Sequence, residues 1–401
     1  MSGLFLYDDA VARRFEPFAL VRPAAELRAG AALIRERWET AIGRACAGLV
    51  SAAHLREFDE RDAPRAVTGT IPAGAVLANT RCAVALRLAP DADVWLCDGR
   101  VAAVRLAAPI ALDELADGAR PLESLAARDG RSAQVHGRWI DEVWHFIRDL
   151  PAQLIEDIAA LSEGALLLSP EEALRVGEHP VFVERGATVE PMVLFDVTAG
   201  PVLIRQGATV QAFTRLAGPT VVGKNSVVSG GRVAASSIGE SCKVHGELST
   251  SIFLGHSNKG HDGFVGHSYL GRWVNLGAGT ITSNLKNTYG TVALWTPDGV
   301  RDTGLQFLGA MIGDHAKTGI GVRLTTGSVI GAGANVFGGE VMPKVVPPFA
   351  WGSSPPYAVY DLDRFLKAAD RMMQRRGVVL SDRTRAQLSA SHVTRWSARS
   401  A

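Results

Sequence analysis

The chain has 401 residues, 47% of them hydrophobic and 21% charged, with Lys+Arg 42 against Asp+Glu 41 and a formal net charge of +1. That balance leaves no overall field to draw the chain onto nucleic acid or a membrane surface, and the length allows two or three domains. Cys46, Cys82, Cys97 and Cys242 lack the spacing of a disulfide framework or a zinc ribbon; with no signal-peptide pattern and no bilayer-length apolar run, the expected location is the cytoplasm.

The first 175 residues read as a small α/β domain. An apolar strand opens it at Leu4–Tyr7, followed by Asp8-Asp9-Ala-Val-Ala-Arg-Arg without glycine. A helix is expected over Ala24–Trp38, strands over Ala75–Ala78, Asp93–Cys97 and Val101–Leu106, and a helix over Ala152–Leu161. Ser169-Pro170-Glu-Glu-Ala-Leu has the form of a capped helical turn. Asp91, Asp93 and Asp98 fall near strand ends, where carboxylates serve as solvated turn residues more often than as metal ligands.

From about residue 176 to 350 an aliphatic residue recurs at every sixth position. Ile204, Val210, Leu216, Val222 and Val228 hold one phase. Ile238 and Val244, then Leu270 and Leu276, resume it, and Ile312, Thr318, Leu324, Ile330 and Val336 complete it. Hexads such as Val222-Gly-Lys-Asn-Ser-Val predict a triangular parallel β-helix. Three short strands make one coil, and each inward aliphatic stacks on its equivalent roughly 18 residues further on. The alternative, a sandwich with Gly-rich turns, predicts two-residue alternation instead. Residues 351–401 leave the repeat. Leu362, Phe365, Leu366, Ala369 and Met373 have helical spacing, Gly377 ends the helix, and the segment is expected to cap the solenoid or to make an oligomer contact.

One stretch breaks the hexad rhythm. Between Gly255 and Asn275 lie His256, His261 and His267 together with Lys259, Asn258 and Asn275. A polar interruption of a regular solenoid costs packing, which marks it for function. Three readings follow. His256 and His261, five apart, have the spacing of two zinc ligands in trimeric β-helix carbonic anhydrases. A third ligand fails, because the chain near Thr220 holds no histidine and His245 lies too close. The histidines could instead be corner residues bonded to backbone. In the third reading an imidazole is the general base that takes a proton from an amine attacking a thioester.

Ser257 to Thr280 resembles, without gaps, the acetyltransferase signature of the bifunctional UDP-N-acetylglucosamine pyrophosphorylase/glucosamine-1-phosphate N-acetyltransferase family, across Ser-x-x-Gly-His…Leu-Gly…Val-Asn-Leu-Gly-Ala-Gly-Thr. Ile312 to Val336 also matches hexad for hexad. Asn284-Leu-Lys-Asn, Asp302-Thr-Gly and Gly313-Asp-His-Ala-Lys-Thr-Gly-Ile are similar to the archaeal branch, and still more to a divergent bacterial branch described as sugar nucleotidyltransferase. Tyr289 to Thr303, read as a hairpin, belongs to these branches.

The resemblance implies a homotrimeric left-handed β-helix with His261 as catalytic base, Asn275 and Asn284 on the acceptor side, and Thr318, Gly319, Ile320 and Gly338 along the acetyl-CoA groove. Two departures stand out. The family's phosphate-binding lysine pair aligns with Ser249-Thr250, and its substrate tyrosine is Phe264. Lys259 is then the candidate phosphate cation, with Lys286 and Lys317 behind it. Pro17 to Arg28 resembles the region after the nucleotide-binding loop of sugar nucleotidyltransferases, which makes Arg22 and Arg28 the candidate nucleotide contacts.

The expected activity is acetyl transfer from acetyl-CoA to an amino-sugar 1-phosphate, coupled to nucleotidyl transfer that would use a nucleoside triphosphate and Mg²⁺. The partners are these small molecules, with neither nucleic acid nor membrane. The rivals are a nucleotidyltransferase that uses the solenoid as a trimerisation scaffold, and a non-catalytic binding protein on a degenerate enzyme fold.

Overall fold

The structure is a computed structural model that describes residues 3–127, 129–168, 174–338 and 341–396. The expected turn at Ser169-Pro170 lies outside the described residues. The chain divides into two units. One comprises Ala19–Val143 with the start of the chain to Phe15 and the segment Leu362–Thr394. The other comprises Trp144–Asp361 with Glu16–Phe18 and the chain from Arg395 on.

The front unit is built on a mixed six-stranded sheet. Its strands are β1 (Leu4–Tyr7), β2 (Cys46–Val50), β3 (Val76–Asn79), β4 (Val94–Cys97), β5 (Arg100–Arg105) and β6 (Ser132–Gln134), in the order β6-β4-β5-β3-β1-β2. β1 runs parallel to both β2 and β3, and β5 is antiparallel to β3 and β4. Tyr7, Val50, Leu77 and Val104 pack with Ile71 and Leu115 into one core cluster.

The helix expected over Ala24–Trp38 is corrected. The chain makes a 3-10 turn at Ala24–Glu26 and a two-residue ladder of Arg28–Ala29 with Ala32–Leu33. Only then does α1 (Ile34–Ile42) start, where the Glu36 carboxylate accepts from Leu33 N–H at 2.8 Å. A side chain that reaches back in this way satisfies a donor that the first helical turn leaves open, and so fixes the start.

Trp144–Asp361 holds α2 (Leu150–Leu161) and the solenoid, a left-handed parallel β-helix with three ladders of short parallel strands. On the first face Ile204 stands beside Val222, eighteen residues on. The spacing then contracts, with Val222 beside Ile238, Ile238 beside Phe253 and Phe253 beside Leu270, before Ile312 pairs with Ile330. The aliphatic members of the predicted series all lie in a single buried core that runs the length of the solenoid. Tyr289 to Thr303 forms an antiparallel hairpin, Ala293–Thr296 with Gly299–Asp302.

The expected partition at residues 175 and 350, with a helical cap on the solenoid, also differs. α3 (Leu362–Gln374) and α4 (Asp382–Thr394) group with the front unit, and α2 groups with the solenoid. Gln387 Nε2 donates to Val21 O, Ser391 Oγ to Leu20 O and Ser381 Oγ to Asp59. Arg383 pairs with Glu57 at 2.9 Å. The 3.6-residue pattern shows that a helix has an apolar face, but not which surface will cover it. Among the described residues no helix is long and apolar enough to cross a membrane.

Candidate functional site

The polar interruption occupies one corner of the solenoid, between its second and third faces. Along this corner successive coils place Met192, Phe213, Gly230, His245, Asp262 and Gly279. Phe213 N–H donates to Met192 O, Gly279 N–H to Asp262 O, and His245 Nε2 lies 3.0 Å from Asp262 Oδ1. From Lys259 to Val265 this corner spans six residues, two more than Val244 to Leu248 on the coil before, and its loop Gly260–Gly263 fits only because of what lies on either side. Gly246 (φ +84°) faces it from the coil before, where a Cβ would come within 3.1 Å of Lys259 Nζ and 3.3 Å of Asp262 Cα. Gly263 (φ +132°) faces the coil after, where a Cβ would stand 2.2 Å from Thr280 O. Both positions need a backbone that side-chain-bearing residues avoid and a surface with no side chain. The result is an exposed His261 on a tightly seated turn.

Lys259 is corrected as the phosphate cation. It is 2% exposed and stands in the inward row of the second face, beside Val244 and one step from Leu276. Its Nζ donates to His245 O at 2.7 Å and His261 O at 3.0 Å. Burial pushes its pKa down to about 8, against the pull of Asp262 and Glu247. Lys317 Nζ likewise donates to His315 O and Lys286 Nζ to Thr291 O. All three lysines therefore hold backbone carbonyls.

The third face begins at Phe264 and ends near Asn284. Both side chains crowd Gly266, where a Cβ would meet Phe264 Cζ at 2.3 Å and Asn284 Nδ2 at 2.8 Å. Asn284 Nδ2 donates to Nδ1 of His267 at 2.8 Å, and the His267 ring stacks on Phe307. Burial pushes His267 down to about 4, so the ring is neutral and its Nδ1 accepts. Asn275 lies on the second face, with its Oδ1 taking a bond from Asn258 Nδ2 at 2.9 Å.

The residues expected along the acetyl-CoA groove follow on the His261 edge, on later coils. Thr318 is buried, and its hydroxyl bonds Thr280 Oγ1 at 2.8 Å, which makes it a support rather than a lining group. Ile320 is 78% exposed. Gly319 lies against Cβ and Cα of Phe337, and Gly338 (φ +115°) lies against Ser353.

His256 and His261 occupy different corners. The His256 ring lies tilted against Trp273 with centroids 4.3 Å apart, and its Nδ1 meets Arg272 at 3.1 Å. Among the described residues no three His, Cys, Asp or Glu side chains group as metal ligands.

The front unit has its own cavity, of about 200 Å³, outside the carboxyl ends of β1 and β3. In open α/β sheets that is where ligands enter. Arg81, Arg100 and Arg120 line it with Tyr7, Asn79 and Trp139. Arg100 lies 3.8 Å over the Trp139 ring. Arg13 pins the loop beside it by donating to Asp8 O, Leu115 O and Ala116 O.

Arg22 and Arg28 are corrected as nucleotide contacts. Arg22 is 1% exposed and bonds both oxygens of Glu60, and Arg28 donates to Ala31 O. The acids do not fit a divalent ion. Asp9 is bound by Arg81; burial alone would raise its carboxyl, but that guanidinium brings it below the usual range. Asp91 and Asp93 pair with Arg105. Nothing in the sequence marks Arg81 and Trp139, which sit far apart in it and belong to no motif.

The family profile described as sugar nucleotidyl transferase matches residues 4–165. A bifunctional sugar-1-phosphate nucleotidylyltransferase/acetyltransferase of Sulfurisphaera tokodaii is 35% identical over 100 residues, 25% of each chain. The bifunctional protein GlmU of Bartonella quintana is 28% identical over 192 residues, 46% of this chain and 37% of that one. Thus the chain spans well under half the length of these curated relatives. An N-acyltransferase from Bacillus cereus, solved with dTDP-4-amino-4,6-dideoxyglucose and coenzyme A, aligns over 52% of this chain and 98% of its own at 14% identity. Its TM-score of 0.23 adds nothing to the architecture read from the strand ladders. The chain is similar to GlmU-like proteins.

Proposed function

We propose that the solenoid transfers an acetyl group from acetyl-CoA to the amine of an amino-sugar phosphate, with His261 as general base. The observation that supports this best is the corner itself. One corner of the solenoid presents an exposed imidazole, and two glycines and a buried lysine keep that turn in place. A neutral imidazole at such a position takes the proton from the amine as its nitrogen attacks the thioester carbonyl. The Cα-anchored turn, rather than the flexible substrate, then sets the approach. Asn275 and the Phe264–Asn284 cluster are the acceptor side of this reading, and Gly319, Ile320 and Gly338 the donor side, completed by a neighbouring copy in a homotrimer.

The experiment is acetyl-CoA turnover with a panel of amino-sugar 1-phosphates, beside His261→Ala. Turnover that the substitution abolishes supports the reading. A wild-type protein that turns over none of them sinks it and leaves the solenoid as a scaffold.

The front cavity favours a second, compatible activity. Three arginines lining one cavity suit a phosphorylated ligand, a nucleoside triphosphate or a sugar phosphate. Among the described residues no three His, Cys, Asp or Glu side chains group there to hold a divalent ion.

A further inference from the structure

The inward rows of a β-helix are aliphatic because a side chain there meets only its equivalents above and below. Lys259 breaks the rule. Its row runs through Val210, Val228 and Val244 before it, and through Thr318 and Val336 beyond Leu276. An amine in that row must find acceptors inside, since an unpaired buried charge is costly. It finds two, and they belong to different coils: the carbonyl of His245 on the coil before, and the carbonyl of His261 on its own. From outside, the same two coils are joined by His245 Nε2 on the Asp262 carboxylate. The histidine-bearing turn is therefore gripped from within by the lysine and from without by an imidazole–carboxylate pair.

We propose that Lys259 is the positioning residue of this site, an internal clamp that fixes the His261 turn by holding its carbonyl and that of His245 together. It does not touch the acceptor. Aliphatic side chains would fill the row equally well, so what the lysine supplies is the pair of directed bonds. Their effect is on the geometry of the turn, and through it on the angle at which the His261 ring meets an incoming amine. The charged and titratable groups around the ammonium are Asp262, Glu247, His245 and His261, all at this corner or on the strand that leaves it.

The proposal rests on His261 being the base, so its test carries a readout that needs no turnover. The variant is Lys259→Met, with Lys259→Leu, a copy of Leu276, in case methionine packs badly. Circular dichroism and elution volume check that the solenoid is intact. Amide hydrogen exchange is then followed in peptides covering 260–264, with 275–276 and 335–336 as internal references. We expect exchange in 260–264 to rise about 10-fold or more while the references stay as in wild type. We expect kcat for acetyl transfer to fall about 10- to 100-fold, the size of effect that a small misplacement of a catalytic group produces, with KM for acetyl-CoA unchanged. Unchanged exchange at 260–264 overturns the clamp. Raised exchange with wild-type kcat overturns its role in positioning. If the wild-type protein transfers no acetyl group, the proposed activity fails, and the exchange data still decide whether the lysine orders the turn.

Discussion

At position 259 the folded environment works against the charge that the side chain carries in water. Its pKa is lowered to about 8 from the model-peptide value of 10.5. Below pH 8 the folded protein holds the lysine protonated at a cost. The cost is relieved as pH rises from 8 toward 10.5, because there the unfolded chain binds more protons than the folded one. Replacing Lys259 with methionine removes that dependence. The stability difference between Lys259→Met and wild type should therefore shift in the variant's favour by roughly 3 kcal/mol as pH falls from 10.5 to 7, an upper figure from the size of the shift. Denaturant titrations at the two pH values read it, and parallel curves would show that the amine is solvated.

Asp8 works in the opposite sense in the front unit. Burial raises it to about 6, although Thr80 Oγ1 and Ala24 N–H both donate to it. Its contribution to stability is full below about pH 4 and is lost as pH rises through 6. Denaturation of the front unit, followed by its tryptophans, should show a decline over that window that Asp8→Asn flattens.

Among the elements, the His261 turn takes its form from the coils on either side. Gly263→Ala forces a Cβ into Thr280 O, with no flexible side chain to yield. The turn must lift while the strands on either side keep their ladders. The expected outcome is a kcat loss of about 100-fold with a small change in melting temperature. A large drop in melting temperature at unchanged kcat would mean that the glycine serves packing alone. The loop over the front cavity answers to a binding assay. Arg120 is exposed and lines the cavity, so Arg120→Ala should leave folding intact. It should weaken binding of a nucleoside triphosphate or a sugar phosphate about 10-fold by calorimetry, close to 1.4 kcal/mol. Equal affinity in the two proteins would remove this cavity from consideration as the anion site.

For the whole molecule, the proposed reaction calls for a homotrimer, in which a neighbouring copy would complete the donor side beside His261. Light scattering should return three times the chain mass, and activity should fall on dilution together with that mass. A monomer with full activity would confine the site to one chain.

The sequence by itself determined the solenoid, because an inward aliphatic every sixth residue is a local rule that each coil repeats. It also singled out the polar segment holding His261, Asn275 and Phe264 as the candidate site. It could not show that Lys259 faces inward. Between Val222 and Leu270 the coils shorten, the six-residue phase slips, and a lysine at an unmarked position reads as exposed. Nor could it show that Arg22 is spent on Glu60, or that Arg81, Arg100 and Arg120 converge on one cavity. Those facts depend on pairings between residues tens of positions apart, and only the tertiary structure decided them. Periodicity records which way a side chain points relative to its own strand, whereas a partner's identity is set by which distant strand arrives beside it.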